Sequence, residues 1–268
     1  LGLNEFTKWL LLVLLAARKD KPGELLTTAL VRARTCENFA QSRALANPGQ
    51  GGRGALKPVI KAVRLQPDAR VVSDQAGKVR EPVLRLSAFL RAHGFKSETG
   101  GFHVGNTDNV IASLGQTPLR SPSVFNFYRP GYVAPGTRAA AGGLVAPEMQ
   151  IVHETTTAGY VNYMRDSVSQ GVGSGAPSGK RDLQGDFSAE LALADKPVDL
   201  VNRITGKLIP TPVPDAFTST VAQAVASVPI PVLNAAGTNK ASIDTAKRAR
   251  VNIALLLTLV SPEYLVQK

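Results

Sequence analysis

From Ser97 to Pro147, glycine, proline, asparagine and serine recur every few residues, and no hydrophobic period outlasts about two helical turns. A span of that length without regular structure is uncommon in a compact domain unless the loop is functional or packed as a cover. The rest of the chain has the opposite character. Apolar residues recur at helical spacing over 4–18, 22–45, 54–65, 81–93, 147–168, 197–208, 215–228 and 240–260, and no run of alternating strands appears. The expected fold class is therefore all-α: an irregular helical domain with long ordered Pro/Gly-rich loops, and with the irregular span draped over the helices.

The punctuation supports those bounds. Pro22 suits a first helical turn, the stretch Asn47-Pro48-Gly49-Gln50-Gly51-Gly52 breaks a helix, and Gly94 stops the one that ends near His93. A Gly/Ser-rich connector at Gly171–Gly179 reads as a surface loop. With 44% hydrophobic and 19% charged residues the chain is globular in composition, and the 6% of aromatics leave Leu, Val, Ile and Ala to fill the interior.

Charge is distributed unevenly along the chain. Of 31 Lys and Arg, 17 lie in residues 1–100, against 8 of the 20 Asp and Glu, so the formal charge of +11 is mainly an N-terminal property. Such a surplus favours an acidic partner. Nucleic-acid or other polyanion binding through this basic part is one reading. The scattered Arg32, Arg34, Arg43 and Arg53, without interleaved aromatic platforms, favour a solvated basic surface instead. The single cysteine, Cys36, excludes an internal disulfide and any cysteine-built metal cluster. The apolar run Trp9–Ala17 is shorter than the roughly 20 residues a transmembrane helix needs, and the following Arg18-Lys19-Asp20-Lys21 lacks a signal-peptide cleavage site. Leu1 in place of Met suggests a fragment of a longer reading frame.

One stretch carries a resemblance. Leu114-Gly115-Gln116-Thr117-Pro118-Leu119-Arg120-Ser121-Pro122-Ser123-Val124-Phe125-Asn126-Phe127-Tyr128-Arg129-Pro130-Gly131-Tyr132 is similar to the bacterial domain of unknown function 1800 (DUF1800) family. So are Leu144-Val145-Ala146-Pro147-Glu148-Met149-Gln150-Ile151, His153-Glu154-Thr155 and the closing Ser261–Lys268, together with Gly49–Arg70 and Gly77–Arg85 upstream. On these segments the C-terminal part of such a domain covers residues 45–268, and residues 1–44 form a divergent N-terminal segment. The resemblance implies a largely α-helical, exported bacterial protein of the periplasm or cell surface. It also implies the missing N-terminal half and a neighbouring-gene, sulfatase-like protein as partners. It brings no activity, cofactor or catalytic residue set.

Familiar catalytic patterns fail on inspection. His153-Glu154 lacks the second histidine of a zinc-protease helix, since Thr157 holds that position, and no metal or cofactor is implied. Gly173-Ser174-Gly175 lies in a connector and not in a nucleophile elbow, and Ser178-Gly179-Lys180-Arg181 lacks the phosphate-loop spacing. On a helix over 147–168, His153 falls within the apolar stripe of Met149, Val152, Thr156, Tyr160, Tyr163 and Met164, which makes it a core-facing histidine bonded to a neighbouring loop. The polar-cluster candidates are Glu148, His153, Glu154 and Tyr160. The anion-binding candidates are Arg120, Arg129, Ser123 and Asn126, because a planar guanidinium suits carboxylate, phosphate or sulfate. The loop Arg120–Tyr132 is expected to pack on that helix through its aromatics, bringing Arg120 or Arg129 to Glu148, Glu154 or His153. A binding or assembly module of the bacterial envelope is the favoured reading; a hydrolase or transferase around His153 and Arg129 is the alternative.

Overall fold

The computed structural model describes residues 77–124, 126–129 and 131–267. The helices expected over 4–18, 22–45 and 54–65, the arginines at 32, 34, 43 and 53, and Phe125 lie outside the described residues. Along the chain the elements run β1 (Lys78–Val79), α1 (Pro82–Ala92), β2 (Lys96–Ser97), α2 (Arg138–Ala141), a 3-10 turn (Pro147–Ile151), α3 (Glu154–Gln170), β3 (Leu183–Gln184), α4 (Ser188–Leu191), α5 (Pro197–Leu208), α6 (Asp215–Ala226), α7 (Lys240–Leu259), α8 (Pro262–Leu265) and β4 (Val266–Gln267). The fold is mainly α-helical, as the periodicity requires. Among the described residues no helix is long and apolar enough to cross a membrane.

The chain divides into two compact units: residues 1–76 with Pro130–Pro147, and Gly77–Arg129 with Glu148–Lys268. In the first, α2 interrupts the irregular span. Its start is set by Thr137, whose hydroxyl accepts from Ala140 N at 3.2 Å and donates to the Ala134 carbonyl at 2.7 Å.

The second unit is organised on α7, twenty residues and so about 30 Å long. Its sequence is rich in Ala, Leu, Lys and Arg, all strong helix formers, and Val251, Ala254, Leu255, Thr258 and Leu259 are buried at the spacing of one helical face. Helices α3, α5 and α6 pack against it, and α6 and α1 also pack on α5. The core joins Leu86, Phe89, Met164, Leu200, Ile204, Val225 and Tyr264, each worth about 1.5–3 kcal/mol when fully buried. Helix α5 follows both terminal rules: proline and Asp199 in its first turn, Lys207 in its last.

Four two-residue strands staple the ends of this unit. Strands β1 and β4 pair antiparallel, with Lys78 opposite Gln267 and Val79 opposite Val266. Strands β2 and β3 do the same, with Lys96 opposite Gln184 and Ser97 opposite Leu183. Beside the second pair, buried Asp182 accepts from Ser97 Oγ at 2.8 Å, Thr99 N at 2.9 Å and His103 N at 2.9 Å. Burial alone would raise the Asp182 carboxyl pKa, but these donors outweigh it and hold the carboxyl well below the usual range.

One boundary differs from the sequence reading in a way that matters. The helix expected over 147–168 is two elements, the 3-10 turn and then α3, which starts at Glu154. His153 is therefore not inside a helix. It is the N-cap: its Nδ1 accepts from Thr156 N at 3.5 Å, and Thr156 Oγ1 accepts from His153 N at 2.9 Å. The core-facing histidine expected from the 3.6-residue stripe is exposed instead, because the stripe was extrapolated through the cap.

Candidate functional site

Residues 107–129 form a loop clamped at both ends. At the near end Thr107 N donates to Thr117 Oγ1 at 2.6 Å, and Thr107 Oγ1 donates to the Gln116 carbonyl at 2.5 Å. Leu114 N and Gln116 N both donate back to the Thr107 carbonyl at 3.1 Å. Thr107, Gln116 and Thr117 are all buried, so this mutual pairing is what makes their burial tolerable.

The Gln116 side chain then reaches α1. Pro82 has no N–H to offer, and the Glu81 side chain does not cap its own helix. Gln116 supplies the missing cap from far along the chain: its Oε1 accepts from Val83 N at 3.1 Å, and its Nε2 donates to Glu81 Oε2 at 2.5 Å. On the opposite side the loop rests on α3. Leu114 is buried in the core, and Gly159 is what lets the backbone come so near. A Cβ at Gly159 would stand 2.7 Å from the Val110 carbonyl oxygen, 2.9 Å from that of Ile111 and 3.0 Å from that of Ser113.

At the far end the Tyr128 hydroxyl bonds the same Glu81 carboxylate. Burial, then that bond and the negative charges of Glu81 and Glu148, push the phenol far above its ordinary range, so it stays a neutral donor. Arg129 N donates to Gln150 Oε1 at 2.7 Å. Glu148, itself buried, is paired with Lys78 Nζ at 3.5 Å. One carboxylate, Glu81, thus receives both Gln116 and Tyr128, closing the base of the loop.

Between the clamps the tip is exposed. Leu119 has a relative exposure of 104% and Val124 of 96%, values that leave both side chains in water. Leu119 and Asn126 adopt left-handed backbone, φ 62° and 66°, which for leucine costs roughly 1–2 kcal/mol. Local bonds shape the turn: Ser121 Oγ donates to the Ser123 carbonyl at 3.1 Å, and Asn126 N donates to the same oxygen at 3.1 Å.

The residues singled out from sequence do not gather at one point. Arg120 pairs with Asp108 at 2.7 Å, and not with Glu148 or Glu154. Arg129 is exposed and anchored through its backbone, and Glu148 is matched by Lys78. Glu154 opens α3 on an exposed face. Tyr160 is buried, its hydroxyl donating to the Leu259 carbonyl at 2.9 Å while the Arg85 guanidinium lies 5.0 Å from its ring centre. Ser123 and Asn126 sit at the tip with Arg120 and Arg129 at its flanks. Glu81, Gln116 and Gly159 went unmarked in the sequence; the only signal for Gly159 was a glycine in mid-helix, which normally has a packing reason. Among the described residues no three His, Cys, Asp or Glu side chains gather as a metal cage requires.

The clamp is assembled from Lys78, Glu81, Gln116, Tyr128 and Glu148, all within the segments similar to DUF1800. A family model described as a protein of unknown function (DUF1800) matches residues 26–266, reaching further toward the N-terminus than residue 45. No curated protein and no solved structure matches the chain.

Proposed function

Because the chain belongs to the DUF1800 family, we propose that it works as a binding or assembly module of the bacterial envelope, with the clamped loop as its recognition element. The observation that carries this reading is the exposure of Leu119 and Val124 on a loop whose two ends are fixed to the same carboxylate. Exposed apolar side chains on a rigid base lose little entropy when they are covered, which is how binding loops gain affinity. The partner is a protein with an apolar contact surface and an acidic rim. Arg120 and Arg129 flank the tip, Ser123 and Asn126 add polar contacts, and the whole chain carries a formal charge of +11.

An enzymatic reading around His153 and Arg129 has less support, since the His153 ring is engaged in capping α3 and Arg129 is held through its backbone. A sedimentation assay separates the two readings. Wild-type chain should co-sediment with an envelope fraction, and the Leu119→Asp/Val124→Asp double variant should stay in the supernatant with an unchanged circular-dichroism spectrum. Equal co-sedimentation of both proteins would overturn the proposal.

A further inference from the structure

A concavity of about 270 Å³ lies between the end of α3, the segment before α4, and the middle of α7. Val168, Val251 and Phe187 give it an apolar lining, and Arg248, Asn252 and Asp186 give it polar groups. Arg248 and Asn252 are four residues apart on α7 and so share a face. Neither side chain makes a hydrogen bond or ion pair with another described residue.

The contrast with Arg250 is informative. Two residues further on, Arg250 donates to the carbonyls of Val228 at 2.8 Å, Ala194 at 3.0 Å and Ala226 at 3.5 Å, and so ties α7 to two neighbouring segments. That arginine has a structural task. Arg248 has none of this kind, yet it lines the cleft. Asp186 stands in the same cleft without pairing to Arg248. Its Oδ1 accepts from Ser188 N at 2.9 Å, the Ser188 hydroxyl adds a second bond, and Lys96 and Lys207 act on the same carboxylate from a distance, which still leaves acceptor capacity on it.

We infer that this cleft binds a small apolar α-amino acid as its zwitterion, with the carboxylate on Arg248 and Asn252, the ammonium on Asp186, and the side chain against Phe187 and Val251. Each of the three features selects. A guanidinium with an adjacent amide suits a planar carboxylate. The nearby Asp186 disfavours a dianion such as phosphate, and Arg248 disfavours a simple cation. The volume lies just below the usual range for drug-sized ligands, which fits a metabolite of this size.

The test is calorimetric titration of the full chain with L-leucine, leucine methyl ester, N-acetyl-leucine and inorganic phosphate, repeated on Arg248→Gln and Asp186→Asn. Leucine should bind saturably, and each variant should weaken it by about tenfold, the scale of one charge-assisted contact. The methyl ester should bind weakly and be insensitive to Arg248→Gln; N-acetyl-leucine should be insensitive to Asp186→Asn. Thermal melts of both variants should match wild type. Absence of saturable leucine binding, leucine binding unchanged in both variants, or tighter binding of phosphate would each overturn the assignment. None of these readouts depends on the clamped loop.

Discussion

Residues 107–117 and 119–126 share one kind of sequence, short in regular period and rich in Gly, Pro, Ser, Thr and Asn, yet they behave in opposite ways. The first stretch is locked: Thr107, Gln116 and Thr117 are buried and bonded to one another, Leu114 enters the core, and Val110 to Ser113 lie on Gly159. The second is presented to solvent, with Leu119 and Val124 uncovered, turn bonds within the stretch and the exposed Arg120–Asp108 pair. The difference is not composition. It is whether the polar groups of the loop find partners far away in sequence, as Gln116 does at Glu81 and Val83. A loop segment whose polar groups are buried with such partners behaves as core, and one whose apolar side chains stay uncovered is presented to another molecule.

The comparison breaks most sharply at Gly159. Replacing it by Val drives a branched side chain into three backbone carbonyls that cannot swing aside, so the loop must lift from α3 or the helix must shift. A loss of about 3 kcal/mol in urea unfolding is expected, the upper part of the range for overpacking. The matching change at the tip, Leu119→Ala, should stay within about 0.5 kcal/mol of wild type, as for surface positions generally. Equal effects at the two sites would erase the distinction between a locked and a presented half.

A smaller effect is expected at Gln116. Gln116→Ala leaves the Val83 N–H without its cap and removes one of the two donors on Glu81, while Tyr128 keeps the other. The loss should be about 1–2 kcal/mol, the usual cost of an orphaned, partly buried polar group. Hydrogen exchange localises it: amides of 107–117 and of the first turn of α1 should lose protection together, while those of α7 do not.

The helical core was legible because its signals are local and repeat. Buried residues of α5, α6 and α7 lie at the spacing read from the chain, and α5 begins and ends at the residues expected, Pro197 and Leu208. The clamp was illegible because its links are long-range and specific. Nothing in the neighbourhood of Gln116 announces that it caps a helix 33 residues earlier in the chain. His153 shows the converse error, in which a period continued one turn too far hid a cap. The loop does meet α3, but the close approach is made by Val110–Ser113 at Gly159, upstream of the Arg120–Tyr132 stretch from which it was expected, and Arg129 instead bonds Gln150 in the 3-10 turn.

The smallest effect is expected at Arg120, which links the two halves through Asp108. Its guanidinium Nε lies 2.7 Å from Asp108 Oδ2, but the arginine side chain is 55% exposed and the aspartate 31%, so solvent screens much of the attraction. The hydrogen bond from Arg120, more than its charge, holds the Asp108 carboxyl below the ordinary range. A carboxyl depressed in the folded state contributes stability above its unfolded pKa, near 3.9, and loses it as the pH falls through the lower folded value. Arg120→Gln should therefore leave thermal melts at neutral pH and high salt unresolved from wild type. It should still move the NMR titration midpoint of Asp108 upward toward the ordinary value. If that midpoint stays where it is, Arg120 is not bonded to Asp108 in solution, and the tip is less firmly joined to the locked half than the geometry indicates.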